Sequence, residues 1–276
     1  FGISFQIIIL VNKKIVLTGA SGFIGNALYK RLKNTKGLSV IPVSRNLGLK
    51  NYFYSKDYCE LPSGDILVHL GEESNRIKVN NSGEEYCKKC TKVIESIINK
   101  GYRHIIYASS SSIYGESGVS PYSEKMEIYQ TDEYSKIKIT NENLVLESGG
   151  GVARISNVIG LEMSSTNVLS NIISQLSKSG PILVQDTTPI RDFIFLDNVV
   201  EALLLMIQNQ AAGIFNIGSG SATSIQRLAE LCLITDGQID RRIESKLNSS
   251  AYSFNVVDPT KITNTLKWKP SVSLQD

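Results

Sequence analysis

The sequence is poor in metal ligands. Two histidines and four cysteines among 276 residues do not make a metal site, and Cys87-x-x-Cys90 has no second pair. Its spacing falls inside a helical run of Tyr86, Cys90, Val93, Ile94 and Ile97. Both cysteines therefore read as helix residues, which suits a reducing, cytoplasmic compartment. Dense Lys/Arg runs are absent at a net charge of +3, so neither nucleic acid nor membrane is an expected partner. The apolar, uncharged stretch Phe1–Val11 is too short to span a bilayer, and Lys13 and Lys14 follow it, unlike a secretory leader. No repeat or low-complexity linker is visible. Acidic residues are missing before Asp57, whereas Lys30, Arg31, Lys33, Lys36, Arg45, Lys50 and Lys56 all fall there. A cationic start fits a phosphate-rich ligand; a solvated basic helix face explains most of these lysines equally well.

What is present is ordinary for a globular chain, with 42% apolar and 20% charged residues. Short apolar runs at Lys14–Thr18, Ser39–Ser44, Asp65–Leu70, His104–Ala108 and Val152–Ile155 read as buried strands. Helical patterns separate them, from Phe23 to Leu32, Tyr86 to Asn99 and Tyr134 to Glu147. Alternating βα units of this kind predict an α/β fold, a Rossmann-type doubly wound parallel sheet over residues 12–156. Residues 157–276 are less regular and predict a smaller α/β substrate-binding lobe, of which 193–218 is able to return to the first domain. Helices are expected at Asn167–Ser179, Val199–Asn209 and Ser224–Leu233, and strands at Ile182–Val184, Phe193–Leu196 and Ile214–Ile217.

The first strand runs into Gly19-Ala20-Ser21-Gly22-Phe23-Ile24-Gly25, which opens a helix. Such a turn needs residues that tolerate positive φ, and missing side chains let phosphate approach the backbone. Free N–H groups at the helix start then meet a pyrophosphate. The loop, including Ser21, Phe23 and Ile24, is the expected cofactor cradle. A purely structural tight turn is the alternative. The second strand ends Ser44-Arg45-Asn46 without a carboxylate to hold ribose hydroxyls. Ser44 and Arg45 suit a 2′-phosphate, which favours NADP over NAD. Arg45 exposed to solvent, or stacked on the adenine, are the other readings.

Tyr134 and Lys138, four residues apart, share a helix face. A lysine ammonium favours phenolate and makes a tyrosine usable as acid or base, and it can also hydrogen-bond the nicotinamide ribose. An exposed helix pair is the bland alternative. Ser109–Ser112 follow a strand at the carboxyl end of the sheet, where a hydroxyl can orient a reacting oxygen; a plain serine loop would look the same.

Taken together, Gly19–Gly25, Ala108–Gly115, Tyr134/Lys138, Arg154-x-x-Asn157-x-x-Gly160, Arg191-Asp192-Phe193-Ile194, Phe215-Asn216-Ile217-Gly218 and Leu266-Lys267-Trp268-Lys269-Pro270 resemble the extended short-chain dehydrogenase/reductases. More narrowly, the chain is similar to their nucleotide-sugar epimerase/dehydratase group, over residues 13–276. The resemblance implies Ser110 as a third catalytic residue with Tyr134 and Lys138. It implies Leu70, Gly71 and Ser109 beside the cofactor, and Ser111, Asn157 and Arg191 toward the nucleotide-sugar, Arg191 facing a diphosphate. Homodimers through helices near Glu84–Asn99 and Tyr134–Glu147 are also implied.

Three departures stand out. Ser111 and Ser112 occupy the places of the Asp-Glu pair that 4,6-dehydratases use for water elimination, which disfavours that reaction. Glu72 and Glu73 stand where the family usually has small residues. The Asn-rich signature of the next helix is not evident. The expected activity is hydride transfer between a nicotinamide and a nucleotide-linked hexose at C4, as a 4-keto reductase using NADP. The alternatives are a 4-epimerase with retained NAD and a non-catalytic NADP-binding subunit.

Overall fold

The computed structural model describes residues 12–247 and 252–274; the apolar stretch 1–11 lies outside them. Seven strands form the main sheet: β1 (Lys13–Thr18), β2 (Leu38–Ser44), β3 (Phe53–Tyr54), β4 (Ile66–His69), β5 (His104–Ser110), β6 (Gly151–Ile155) and, far along the chain, a strand at Gly213–Ile217. All are parallel, in the order Gly213–Ile217, β6, β5, β4, β1, β2, β3. Strands covered on both faces read as continuous apolar runs rather than alternating ones. Ile15, Val16 and Leu17 in β1, and Ile66, Leu67 and Val68 in β4, are accordingly fully buried.

On one face lie α1 (Phe23–Lys33) and a helix at Leu196–Asn209, which share a core of Leu28, Leu32, Leu203 and Met206. The other face is covered by α2 (Arg76–Asn80), α3 (Gly83–Asn99) and α4 (Glu133–Glu147). Here Val93, Ile94, Ile97 and Val145 pack on Tyr107 and Val152. Cys87 and Cys90 are residues of α3, and burial pushes their thiols up to about 12 and about 11. Both stay protonated and unreactive at neutral pH.

Beyond β6 the chain builds the second lobe from β7 (Asn157–Ile159), α5 (Val168–Leu176), β8 (Ile182–Val184), β9 (Ile190–Arg191) and β10 (Phe193–Phe195). The helix at Leu196–Asn209, α6, and the strand Gly213–Ile217, β11, then return to the main sheet, β11 pairing with β6. After β12 (Thr223–Ser224), α7 (Ile225–Thr235), β13 (Ile243–Ser245), β14 (Phe254–Asn255) and α8 (Thr260–Leu266) complete the described chain. The lobe has its own core of Ile159, Ile172, Ile182, Phe193, Leu228 and Leu233. Buried Trp268 donates its indole N–H to the Asn198 carbonyl, anchoring the C-terminal segment on α6. Among the described residues no helix is long and apolar enough to cross a membrane.

Candidate active site

Gly19 has φ +68° and its α-carbon lies under the Leu70 carbonyl, so a side chain there would be both strained and obstructed. A Cβ on Gly25 would collide with the Gly19 carbonyl. These two contacts bring β1, the loop and α1 close together. Gly22 caps α1 in an extended conformation with no side-chain hydrogen bond to the free N–H groups. The first turn of α1 is thus open to an anion.

A cleft runs across the carboxyl ends of the strands as linked cavities. One of about 410 Å³ has Gly19, Gly22, Ser109, Tyr134, Lys138 and Asn157 in its wall. Toward β2 a cavity of about 390 Å³ is lined by Ser21, Ser44, Arg45, Tyr58, Leu70 and Gly71. Ser21 Oγ and Ser44 Oγ are 2.8 Å apart, and the Arg45 guanidinium lies 5.3 Å from the Tyr58 ring centroid. On the opposite side, cavities of about 230 and 560 Å³ meet at Asn157 and Arg191.

The cleft suits a nucleotide cofactor. Ser109 Oγ and Ser156 Oγ, both in its wall, are buried with no hydrogen-bond partner. Buried hydroxyls in that condition fit a polar ligand. The open first turn of α1 supplies donors for its phosphates, and no carboxylate at the end of β2 opposes a further one.

Tyr134 is buried at the first turn of α4. Asp132 caps that helix, accepting from Ser135 N at 2.8 Å while Ser135 Oγ accepts from Asp132 N. Asn80, the last residue of α2, accepts Tyr134 N–H at 2.9 Å and donates to Asp132 at 2.8 Å. Asn80 therefore fixes the start of the helix that carries Tyr134. Sequence reasoning found no asparagine signature here; Asn75, Asn80 and Asn81 in a polar stretch gave no signal of a partner so far along the chain.

Lys138 Nζ is 5.8 Å from the Tyr134 ring centroid and donates to the Ala108 carbonyl at 2.9 Å. It also pairs at 2.8 Å with Glu72, and both side chains are buried. Glu72 points inward: Tyr107 donates to it at 2.7 Å and Asn141 at 2.7 Å. Burial opposes ionisation of Glu72, but the Lys138 ammonium and the donors around it prevail and hold it below the usual carboxylate range. Burial likewise works against the Lys138 charge, and the Glu72 carboxylate outweighs it, leaving Lys138 above the ordinary lysine value. Glu73 turns outward to Lys78.

Ser110 Oγ lies 3.0 Å from Ser112 Oγ and faces the cleft beside Tyr134. Ser111 is buried and donates to Asn255 at 2.8 Å. Asn157 donates to the Asp192 carbonyl at 3.1 Å. Arg191 Nη2 pairs with Glu116 at 2.8 Å, and Arg76 approaches the same carboxylate at 3.6 Å. Arg154 lies below the cleft, fully buried against Glu142 at 2.7 Å and Tyr114 at 2.9 Å. It is a structural ion pair, satisfied on both sides.

A glycine loop opening a helix, a buried Tyr/Lys pair on a helix of the opposite face and a doubly wound sheet define a nicotinamide-dependent class of protein. Residues 15–218 match the NAD dependent epimerase/dehydratase family, and the chain belongs to it. The dTDP-L-rhamnose 4-epimerase of Burkholderia thailandensis is 23% identical over 336 residues, covering 95% of this chain and 92% of that protein. UDP-glucose 4-epimerase of Thermotoga maritima, solved with UDP-glucose, superposes with a TM-score of 0.81 at 22% identity, over 95% of both chains. RMD from Pseudomonas aeruginosa, complexed with NADPH, does so at 0.83 and 20% identity, over 96% of this chain and 95% of that one. At these identities the two solved structures establish the fold.

Proposed function

We propose that the protein transfers hydride at C4 of a nucleotide-linked hexose, reducing a 4-keto sugar with NADP as its cofactor. The observation that carries this reading is the buried Tyr134, beside Lys138, in the wall shared by the glycine-loop cavity and the cavity of about 230 Å³ at Asn157 and Arg191. The bound nicotinamide supplies the hydride. Tyr134 exchanges the proton on the sugar oxygen, and Ser110 orients that oxygen toward the phenol. Lys138, fixed by Ala108 and Glu72, has one N–H left to give to the ribose or to Tyr134. Arg191 meets the diphosphate once Glu116 releases it.

NADP is supported by Ser44 and Arg45 at the end of β2, by Ser21 of the glycine loop beside them, and by the NADPH complex of a protein of the same fold. A second reading, a 4-epimerase that keeps NAD, is supported by the names of two of the similar proteins. Denaturing the purified protein and identifying any released nicotinamide separates the two. An empty protein that binds NADPH more tightly than NADH supports the reductase; stoichiometric NAD refutes it in favour of the epimerase. A Tyr134→Phe variant with unchanged turnover would refute both.

A further inference from the structure

Glu72 is chemically out of place. It follows β4 in a wall otherwise made by Leu70 and Gly71, and its side chain is only 9% exposed. Yet both of its oxygens are engaged. Oε2 takes the Lys138 ammonium at 2.8 Å and the Tyr107 hydroxyl at 2.7 Å, and Oε1 takes Asn141 at 2.7 Å. A buried ion pair of this kind is a weak source of net stability, because both charges must leave water. Its position beside the lysine of the site is what needs explaining.

Charge balance supplies the explanation. The nicotinamide ring carries a unit positive charge when oxidised and none when reduced, since hydride brings two electrons and one proton. An unmatched ammonium in the same buried cavity repels the oxidised ring and leaves the reduced ring unaffected. An ammonium matched by a carboxylate at 2.8 Å presents almost no net charge to either.

We propose that Glu72 is a positioning residue that acts through Lys138: it holds the ammonium against Ala108 and cancels its charge, so that the site tolerates the oxidised nicotinamide better than an unpaired lysine would allow. Bound reduced cofactor is correspondingly the stronger hydride donor. The inference rests on reading the cleft as a nicotinamide site and is independent of which sugar is bound.

The test is the ratio of dissociation constants for NADP⁺ and NADPH, measured by calorimetry without substrate. Glu72→Gln keeps the shape and removes the charge, and is expected to raise the ratio of oxidised to reduced dissociation constants about tenfold. Lys138→Met removes the opposite charge and is expected to lower it. If Glu72→Gln fails to fold by circular dichroism, the double variant Glu72→Gln/Lys138→Met carries the test: its ratio is expected back near the parent value, and a ratio equal to that of Lys138→Met overturns the proposal. If Glu72 only supports packing, both constants move together and the ratio holds within twofold, which overturns the proposal. A parent protein that binds neither the NADP⁺ and NADPH pair nor the NAD⁺ and NADH pair would instead refute the cofactor reading, and the inference with it; where only the NAD pair binds, the same ratio is measured with that pair.

Discussion

Arg191 and Glu116 are bound to each other at 2.8 Å on the side of the cleft away from the glycine loop. The guanidinium read from the sequence as a diphosphate ligand is therefore already holding an anion of the protein's own. Ser253 hydrogen-bonds the same carboxylate, and Arg76 stands on its other side. Glu116→Gln takes the carboxylate away from Arg191, while Arg76 stays paired with Asp132 at 2.5 Å. The expected result is about two- to fivefold tighter binding of a nucleoside diphosphate, the scale of a partly exposed ion pair, with steeper salt dependence in calorimetry.

Tyr134 sits at a helix start fixed by Asp132 and Asn80, so removing its hydroxyl should leave the backbone in place. Tyr134→Phe is expected to reduce kcat by about 10²–10⁴-fold, the usual worth of a positioned proton donor. Cofactor affinity should stay within twofold, checked by titration of the nicotinamide alone.

Gly25 leaves no room for even one methyl group against the Gly19 carbonyl. Gly25→Ala is expected to push α1 away from the loop, costing about 1–3 kcal/mol in urea unfolding. It should also abolish cofactor binding, because the open N–H groups move with the helix.

His69 is buried, 2.8 Å from the Thr18 hydroxyl, and burial pulls its imidazole down to about 4 from 6.5. Below pH 6.5 the unfolded chain takes up a proton that the folded chain refuses until about pH 4. This group contributes no pH dependence above pH 6.5 and removes about 3 kcal/mol of stability as pH falls through that window. Urea midpoints at pH 7 and pH 5 should show about 2 kcal/mol of this loss, and a His69→Asn variant should lack this component.

The glycine loop, the Tyr134/Lys138 helix and the alternation of strands and helices were legible because each is imposed locally. A tight turn demands glycine, and a buried parallel strand demands an uninterrupted apolar run. The two-residue edge strand Phe53–Tyr54 escaped because its side chains are exposed and show no pattern. Ile214–Ile217 was visible as a strand, but its place beside β6 depends on pairing with residues far along the chain. Glu72 posed the same problem. Whether its carboxylate faced solvent or the site was decided by Lys138 and Asn141, which no local window contains. Asn80 and the Arg76–Glu116–Arg191 cluster are likewise products of tertiary contact.

The bare N-terminus of α1 has a consequence for abundance and lifetime. A helix start left without a side-chain cap, beside the unpartnered hydroxyls of Ser109 and Ser156, is where a bound nucleotide would add hydrogen bonds to the fold. Each tenfold rise in free cofactor above its dissociation constant adds about 1.4 kcal/mol to the folded state. Resistance to heat and proteases will therefore track the surrounding nicotinamide supply, so that a starved cell would clear this protein faster than a well-fed one.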